Sequence, residues 1–109
     1  MILQGISAST GGVTGPVVNL ETTDAKQNMP CILVVKYFTP DIIINFRNII
    51  GIITENGGAT CHAAILARTM SIPCVAGVRD VTKILRTGQR VILEASALSV
   101  PGTVEVVEE

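Results

Sequence analysis

Apolar residues fall in short runs separated by glycine, proline or charge, and the runs are rich in isoleucine and valine. Short β-branched runs of this kind predict strands. From Met1 to Asn19 the apolar pieces are divided by Gly5, Gly11, Gly12 and Gly15, which predicts two short strands joined by a tight, irregular loop. Asp24 to Pro30 reads as a polar surface loop. Cys31-Ile32-Leu33-Val34-Val35, bounded by a proline and a lysine, has no polar position and predicts a central strand buried on both faces. Thr39-Pro40-Asp41 supplies an N-cap, a proline for the first helical position and an acid in the first turn, so a short helix is expected there. Ile49 to Thr54 predicts the next strand.

Asn56-Gly57-Gly58 predicts a loop, after which Thr60 can cap a helix from about Cys61 to Met70 with Ala63, Leu66, Ala67 and Met70 on its apolar face. Pro73 marks its end. Cys74 to Ala76 is a brief strand, and Asp80 is the expected cap of a helix through Leu85. Gly88 turns the chain, and Arg90 to Leu93 and Thr103 to Val107 complete the sheet. The order is mixed α/β, with strands outnumbering helices, and 109 residues fit one domain, 1–109.

Composition narrows the function more than the fold. Net charge is −1, aromatics make up 3% of the chain, and Lys and Arg form no cluster. Neither the basic footprint nor the stacking platforms of a nucleic-acid binder are present. Cys31, Cys61 and Cys74 are an odd number without a C-x-x-C pair, which favours reduced thiols and a cytoplasmic location over a disulfide framework. The run from Ile42 to Ile53 is broken by Asn45, Arg47, Asn48 and Gly51, short of the roughly 18 to 20 apolar residues of a membrane span. The first residues also lack the pattern of a signal peptide.

The chemistry concentrates at Thr54-Glu55-Asn56-Gly57-Gly58-Ala59-Thr60-Cys61-His62-Ala63-Ala64, where a strand passes through paired glycines into a helix whose first turn holds His62, the one histidine of the chain. Free N–H groups and the positive end of the helix dipole favour a phosphate there, and glycines let the backbone approach it. The same field supports a phosphoryl dianion on the ring. A lone histidine in a small domain is more often a surface or structural residue, and paired glycines mostly only turn the chain; the residues that flank them here point the other way. Arg68 lies six residues on, about 240° around the helix and roughly 9 Å along it from His62, which suits a role at the helix C-terminus better than a phosphate clamp. Cys61 has no second basic partner in the sequence to make it a nucleophile. Zinc held by His62, Cys61 and Cys74 would need adjacent ligands on one helical turn, a poor fit to a tetrahedral site.

Thr54 through Val78 resembles the signature of the mobile phosphohistidine domain of phosphoenolpyruvate-utilising enzymes: phosphoenolpyruvate synthase, pyruvate phosphate dikinase and the first enzyme of the sugar phosphotransferase system. The resemblance reaches Gly5 to Gly15 and Thr87 to Val91, and so nearly the whole chain; it departs at Pro30-Cys31 and over Ala95 to Gly102. It implies a swivelling β/β/α domain in which His62 accepts and donates a phosphoryl group. It also implies that Thr60, beyond capping the helix, orients the histidine or its phosphate, and Gly57 and Gly58 are expected to form the wall where a donor phosphate approaches. Cys61 is the residue found before the histidine in phosphoenolpyruvate synthases, where the other members more often carry serine. No Walker loop or carboxylate-rich metal site is present, so the resemblance implies that ATP and Mg2+ belong to a separate nucleotide-binding domain, and pyruvate or phosphoenolpyruvate to a barrel domain. The alternative is a regulatory or structural module of the same fold, as appended to bacterial pyruvate kinases, in which the histidine does not turn over.

Overall fold

The computed structural model describes residues 1–21, 30–39, 48–57, 62–97 and 100–108. In chain order the elements are β1 (Ile2–Ser9), β2 (Gly11–Asn19), β3 (Cys31–Val35), β4 (Ile49–Thr54), α1 (His62–Met70), β5 (Cys74–Ala76), α2 (Val81–Ile84), β6 (Arg90–Ala95) and β7 (Pro101–Glu108). The helix expected from Thr39-Pro40-Asp41 and most of the loop expected from Asp24 lie outside the described residues.

The strands close into a barrel in the order β1-β5-β4-β3-β2-β6-β7. β2, β3, β4 and β5 run parallel, and β1, β6 and β7 complete the circle with antiparallel pairings. Along β3 the side chains alternate: Ile32 and Val34 enter the barrel interior, whereas Cys31 and Leu33 face outward onto α1. Both sets are buried, which is why this strand carries no polar residue. The inner cluster also takes Val17, Ile53, Val75, Val91, Leu93 and Val104. The outer cluster joins Ala8, Ile52, Cys74 and Ala76 to Ala63, Ala64 and Ala67 of α1. One sheet thus closes into the barrel and carries α1 on its outer face, a small mixed α/β unit dominated by strands.

The first block differs from its expectation. β1 and β2 are strands of 8 and 9 residues, separated by Thr10 alone, and pair with other strands and not with each other. The glycines that read as loop signals lie inside strands, because the two walls press together there. A Cβ on Gly15 would sit 2.8 Å from Ile50 Cδ1, and one on Gly51 would sit 2.7 Å from Leu93 Cδ2. β6 and β7 are likewise longer than their expected cores.

α1 ends as the position of Pro73 suggests. Ser71 takes a left-handed conformation at φ 58°, its N–H donates to the Arg68 carbonyl at 3.2 Å, and the Ile72 N–H donates to the Ala67 carbonyl at 2.9 Å. These two bonds make a Schellman motif, with serine in the place usually held by glycine. Arg68 stands in the last turn of the helix, where a cation meets the negative end of the dipole.

Asp80 does not cap α2 as expected. It occupies the N-cap position at φ 57°, in the left-handed region and not the extended region from which a side chain reaches back, and makes no side-chain cap bond. Its carboxylate lies 4.0 Å from Arg79 Nε at the surface instead. Through Val81 and Leu85, α2 packs into the inner cluster. It covers the end of the barrel where β2, β4 and β5 finish: Val78 N–H donates to the Thr54 carbonyl, and Asn19 Nδ2 donates to the Thr82 and Leu85 carbonyls at 2.8 and 2.7 Å. No helix among the described residues is long and apolar enough to cross a membrane.

Candidate functional site

In a sheet with parallel strands, sites form outside the carboxyl ends of those strands, and the histidine segment leaves β4 at that end. His62 is the first residue of α1, and its side chain is exposed. The first turn of α1 contains no acid, so nothing in it offsets the positive end of the helix dipole beside the ring. Behind the ring the helix is fixed to the sheet by Ala63, Ala64 and Ala67, all fully buried. Alanine on this face lets the helix lie close to the small residues Ala8, Cys74 and Ala76. An imidazole in this position can be reached from solvent while its backbone is tied to the core.

Of the other residues singled out in the sequence, Gly57 is described, and Gly58, Thr60 and Cys61 lie outside the described residues. Gly57 has φ 117°, a conformation L side chains rarely adopt. Its carbonyl oxygen faces the backbone after β5, where a Cβ on Gly77 would sit 3.3 Å away. The two glycines thus allow two connections to touch. Thr54, at the root of the segment, is fully buried, and its hydroxyl has no hydrogen-bond partner among the described residues.

The stem of the segment is held by residues the sequence did not single out as a set. Glu55 N–H donates to the Val35 carbonyl at 2.9 Å, and Asn56 gives both its backbone N–H and Nδ2 to the Lys36 carbonyl at 3.1 and 3.2 Å. Glu55 Oε1 accepts the Thr82 hydroxyl at 2.6 Å and the Thr82 N–H at 3.2 Å. Thr82 holds the second amide of α2, the donor an N-cap side chain ordinarily satisfies, so Glu55 takes over what Asp80 leaves undone. The bond from the Thr82 hydroxyl holds the Glu55 carboxyl below its ordinary pKa, against a smaller opposing effect of burial, with help from the Thr82 N–H, Lys36 and Lys83. Glu55 stands in the quoted motif, yet nothing near it signals Thr82, which lies 27 positions away.

The described residues contain no group of three His, Cys, Asp or Glu side chains able to hold a metal ion. Among the described residues Cys31 and Cys74 are buried and form no disulfide, and burial pushes the Cys31 thiol up.

Residues 27–97 match the family model of the PEP-utilising enzyme, mobile domain. Among curated proteins, the chain is 36% identical over 98 residues to a probable phosphoenolpyruvate synthase of Methanothermobacter thermautotrophicus, covering 88% of this chain and 14% of that protein. It is 38% identical over 88 residues to the rifampicin phosphotransferase of Bacillus cereus, covering 80% of this chain and 10% of that protein. Among solved structures, the solution NMR structure of Enzyme I (nEIt) superimposes with a TM-score of 0.61 at 29% identity, over 84% of this chain and 35% of that one. The chain thus spans a small part of the length of its relatives. A barrel wall backed by an alanine-faced helix, an exposed histidine at the head of that helix and these matches agree in placing the chain in the mobile-domain family of PEP-utilising enzymes.

Proposed function

We propose that the chain is a phosphoryl carrier, with His62 transiently phosphorylated between an ATP-binding domain and a domain that binds pyruvate or phosphoenolpyruvate. The observation that carries this reading is the placement of His62, exposed at the first residue of α1 beyond the carboxyl ends of the parallel strands. A ring nitrogen attacks the donor phosphorus in line; the N–P bond forms as the donor P–O bond breaks, and the leaving oxygen keeps the electron pair. In the second half, an acceptor oxygen attacks the same phosphorus, the N–P bond breaks and the imidazole is restored. Such transfers depend mainly on positioning and charge stabilisation, and the helix N-terminus supplies part of the latter.

Gly57 and Gly58 line the approach, Thr60 orients the ring or its phosphate, and Cys61 is a neighbour without a chemical role. ATP and Mg2+ reside on the partner domain. The domain swivels between the two partners, which lie in the same or a separate chain, in the cytoplasm, where thiols such as Cys31 and Cys74 stay reduced. The likeness to a rifampicin phosphotransferase leaves room for an acceptor other than pyruvate.

The test is labelling. With the nucleotide-binding domain from the same source and radiolabelled ATP, the chain should gain one phosphoryl group that survives alkali and is lost in acid, as a phosphoramidate is. His62→Ala should abolish the label with the fold intact, and Cys61→Ser should keep it. The label should pass to pyruvate when the acceptor domain is added. A folded chain that neither ATP nor phosphoenolpyruvate with its cognate domain can label is instead the regulatory module.

A further inference from the structure

We infer that Glu55 is a positioning residue for His62, acting through a latch with Thr82 that fixes the stem of the histidine segment against α2. The inference rests on the carrier reading and adds to it a residue that touches neither donor nor acceptor.

Three observations carry it. The first is that the latch answers a deficiency: Asp80 makes no cap bond, and Glu55 satisfies the Thr82 amide from outside α2 while also taking the Thr82 hydroxyl. Both donors of one residue converge on a single carboxylate oxygen. The second is that Thr82 is itself anchored. Its carbonyl accepts from Asn19 Nδ2, and Asn19 is 1% exposed at the end of β2. A chain of hydrogen bonds therefore runs from the barrel through Thr82 to the histidine segment. The third is that the stem is held on two sides, by the Val35 and Lys36 carbonyls at the β3 end and, beyond β5, by Thr82 and by the Val78 N–H, which donates to the Thr54 carbonyl.

Beyond its other end the segment meets α1, pinned by Ala63, Ala64 and Ala67. With both ends fixed, the ring of His62 is restricted in where it can stand. A transfer that needs in-line approach over about 3 to 3.5 Å is sensitive to that restriction, and a displacement of about 1 Å can cost on the order of a hundredfold in rate. The latch is a lever on rate more than on stability, because it lies near the surface.

The experiment is single-turnover phosphorylation of the chain by its cognate nucleotide-binding domain and radiolabelled ATP, with that domain varied to saturation. Glu55→Ala and Thr82→Val should each lower the saturating rate by about tenfold to a hundredfold, with the half-saturating concentration and the circular dichroism spectrum unchanged. Glu55→Gln, which keeps an acceptor oxygen, and Thr82→Ser, which keeps the hydroxyl, should restore the rate to within about threefold of the parent. The double variant Glu55→Ala/Thr82→Val should be no slower than the slower single one, as expected for two halves of one interaction. If the parent is labelled and Glu55→Ala matches it, the latch is refuted and the carrier reading stands. A drop confined to half-saturation, or no rescue by Glu55→Gln, also refutes it. A parent that is folded but never labelled overturns both.

Discussion

The two faces of the β3–β4–β5 wall are built differently. Inward, Ile32, Val34, Ile53 and Val75 fill the barrel with large β-branched side chains, and Gly51 gives way where Leu93 crosses from the opposite wall. Outward, Cys74 and Ala76 meet Ala63, Ala64 and Ala67 of the helix that carries His62. Both faces gain free energy from buried area, the outer one through Leu33, Ile49 and Ile52 as well, but where the outer face meets α1 it uses small residues that bring the helix close. The inner face thus serves stability, whereas the outer face also sets the position of the histidine. A residue can matter greatly to one and little to the other.

The largest expected effect tests the inner face. Ile53→Ala removes a fully buried side chain and should cost about 2 to 5 kcal/mol in urea unfolding, while the phosphorylation rate per folded molecule stays near that of the parent. A matching loss of rate would break the division between the faces. Next comes Ala67→Leu on the helix seat, where extra volume should cost about 1 to 3 kcal/mol and also slow labelling of the folded fraction by shifting α1. An unchanged rate would show that the seat does not set the histidine. The smallest effect is at the surface. The folded-state pKa of Glu55 is lowered, so its contribution is fully present above the ordinary value of 4.5 and is lost as pH falls through the folded value. Because this group is only partly buried and screened by solvent, the loss on acidification should be about 1 kcal/mol or less. Comparing unfolding midpoints of the parent and Glu55→Gln across pH 3 to 6 reads it, and the Gln variant should lack this part of the pH dependence.

The sequence disclosed what depends on neighbours in the chain. β3 was legible because Cys31 to Val35 has no polar residue, and β4 because Ile49 to Ile53 follows the same rule. The face of α1 was partly legible: Ala63 and Ala67 are buried, but Ala64 is buried as well, and Met70 is 40% exposed. The position of His62 in the first turn of α1 was legible from the helical pattern that follows it. What depends on distant partners was not. Gly5 and Gly15 read as breaks, since no local pattern shows that Val75 and Ile50 claim the space over them. Asp80 read as a cap because its residue type suits one, whereas the donor it was expected to meet is taken by Glu55 from another loop. The barrel closure was equally hidden, because it requires β1 to pass over β2 and pair with β5 and β7.

That seam between the first and last strands has a kinetic consequence. Ile2 stands opposite Glu105, and the Val106 N–H donates to the Met1 carbonyl at 3.0 Å, so β1 and β7 lie side by side where the barrel closes. The pairing that closes the barrel is also the one most remote along the chain, and its ordering entropy must be met before its contacts form. Folding should therefore be slow relative to a helical domain of the same length. A circular permutant, with the ends joined by a short linker and the chain reopened in an exposed turn, converts this pairing into a hairpin and should fold faster to the same barrel.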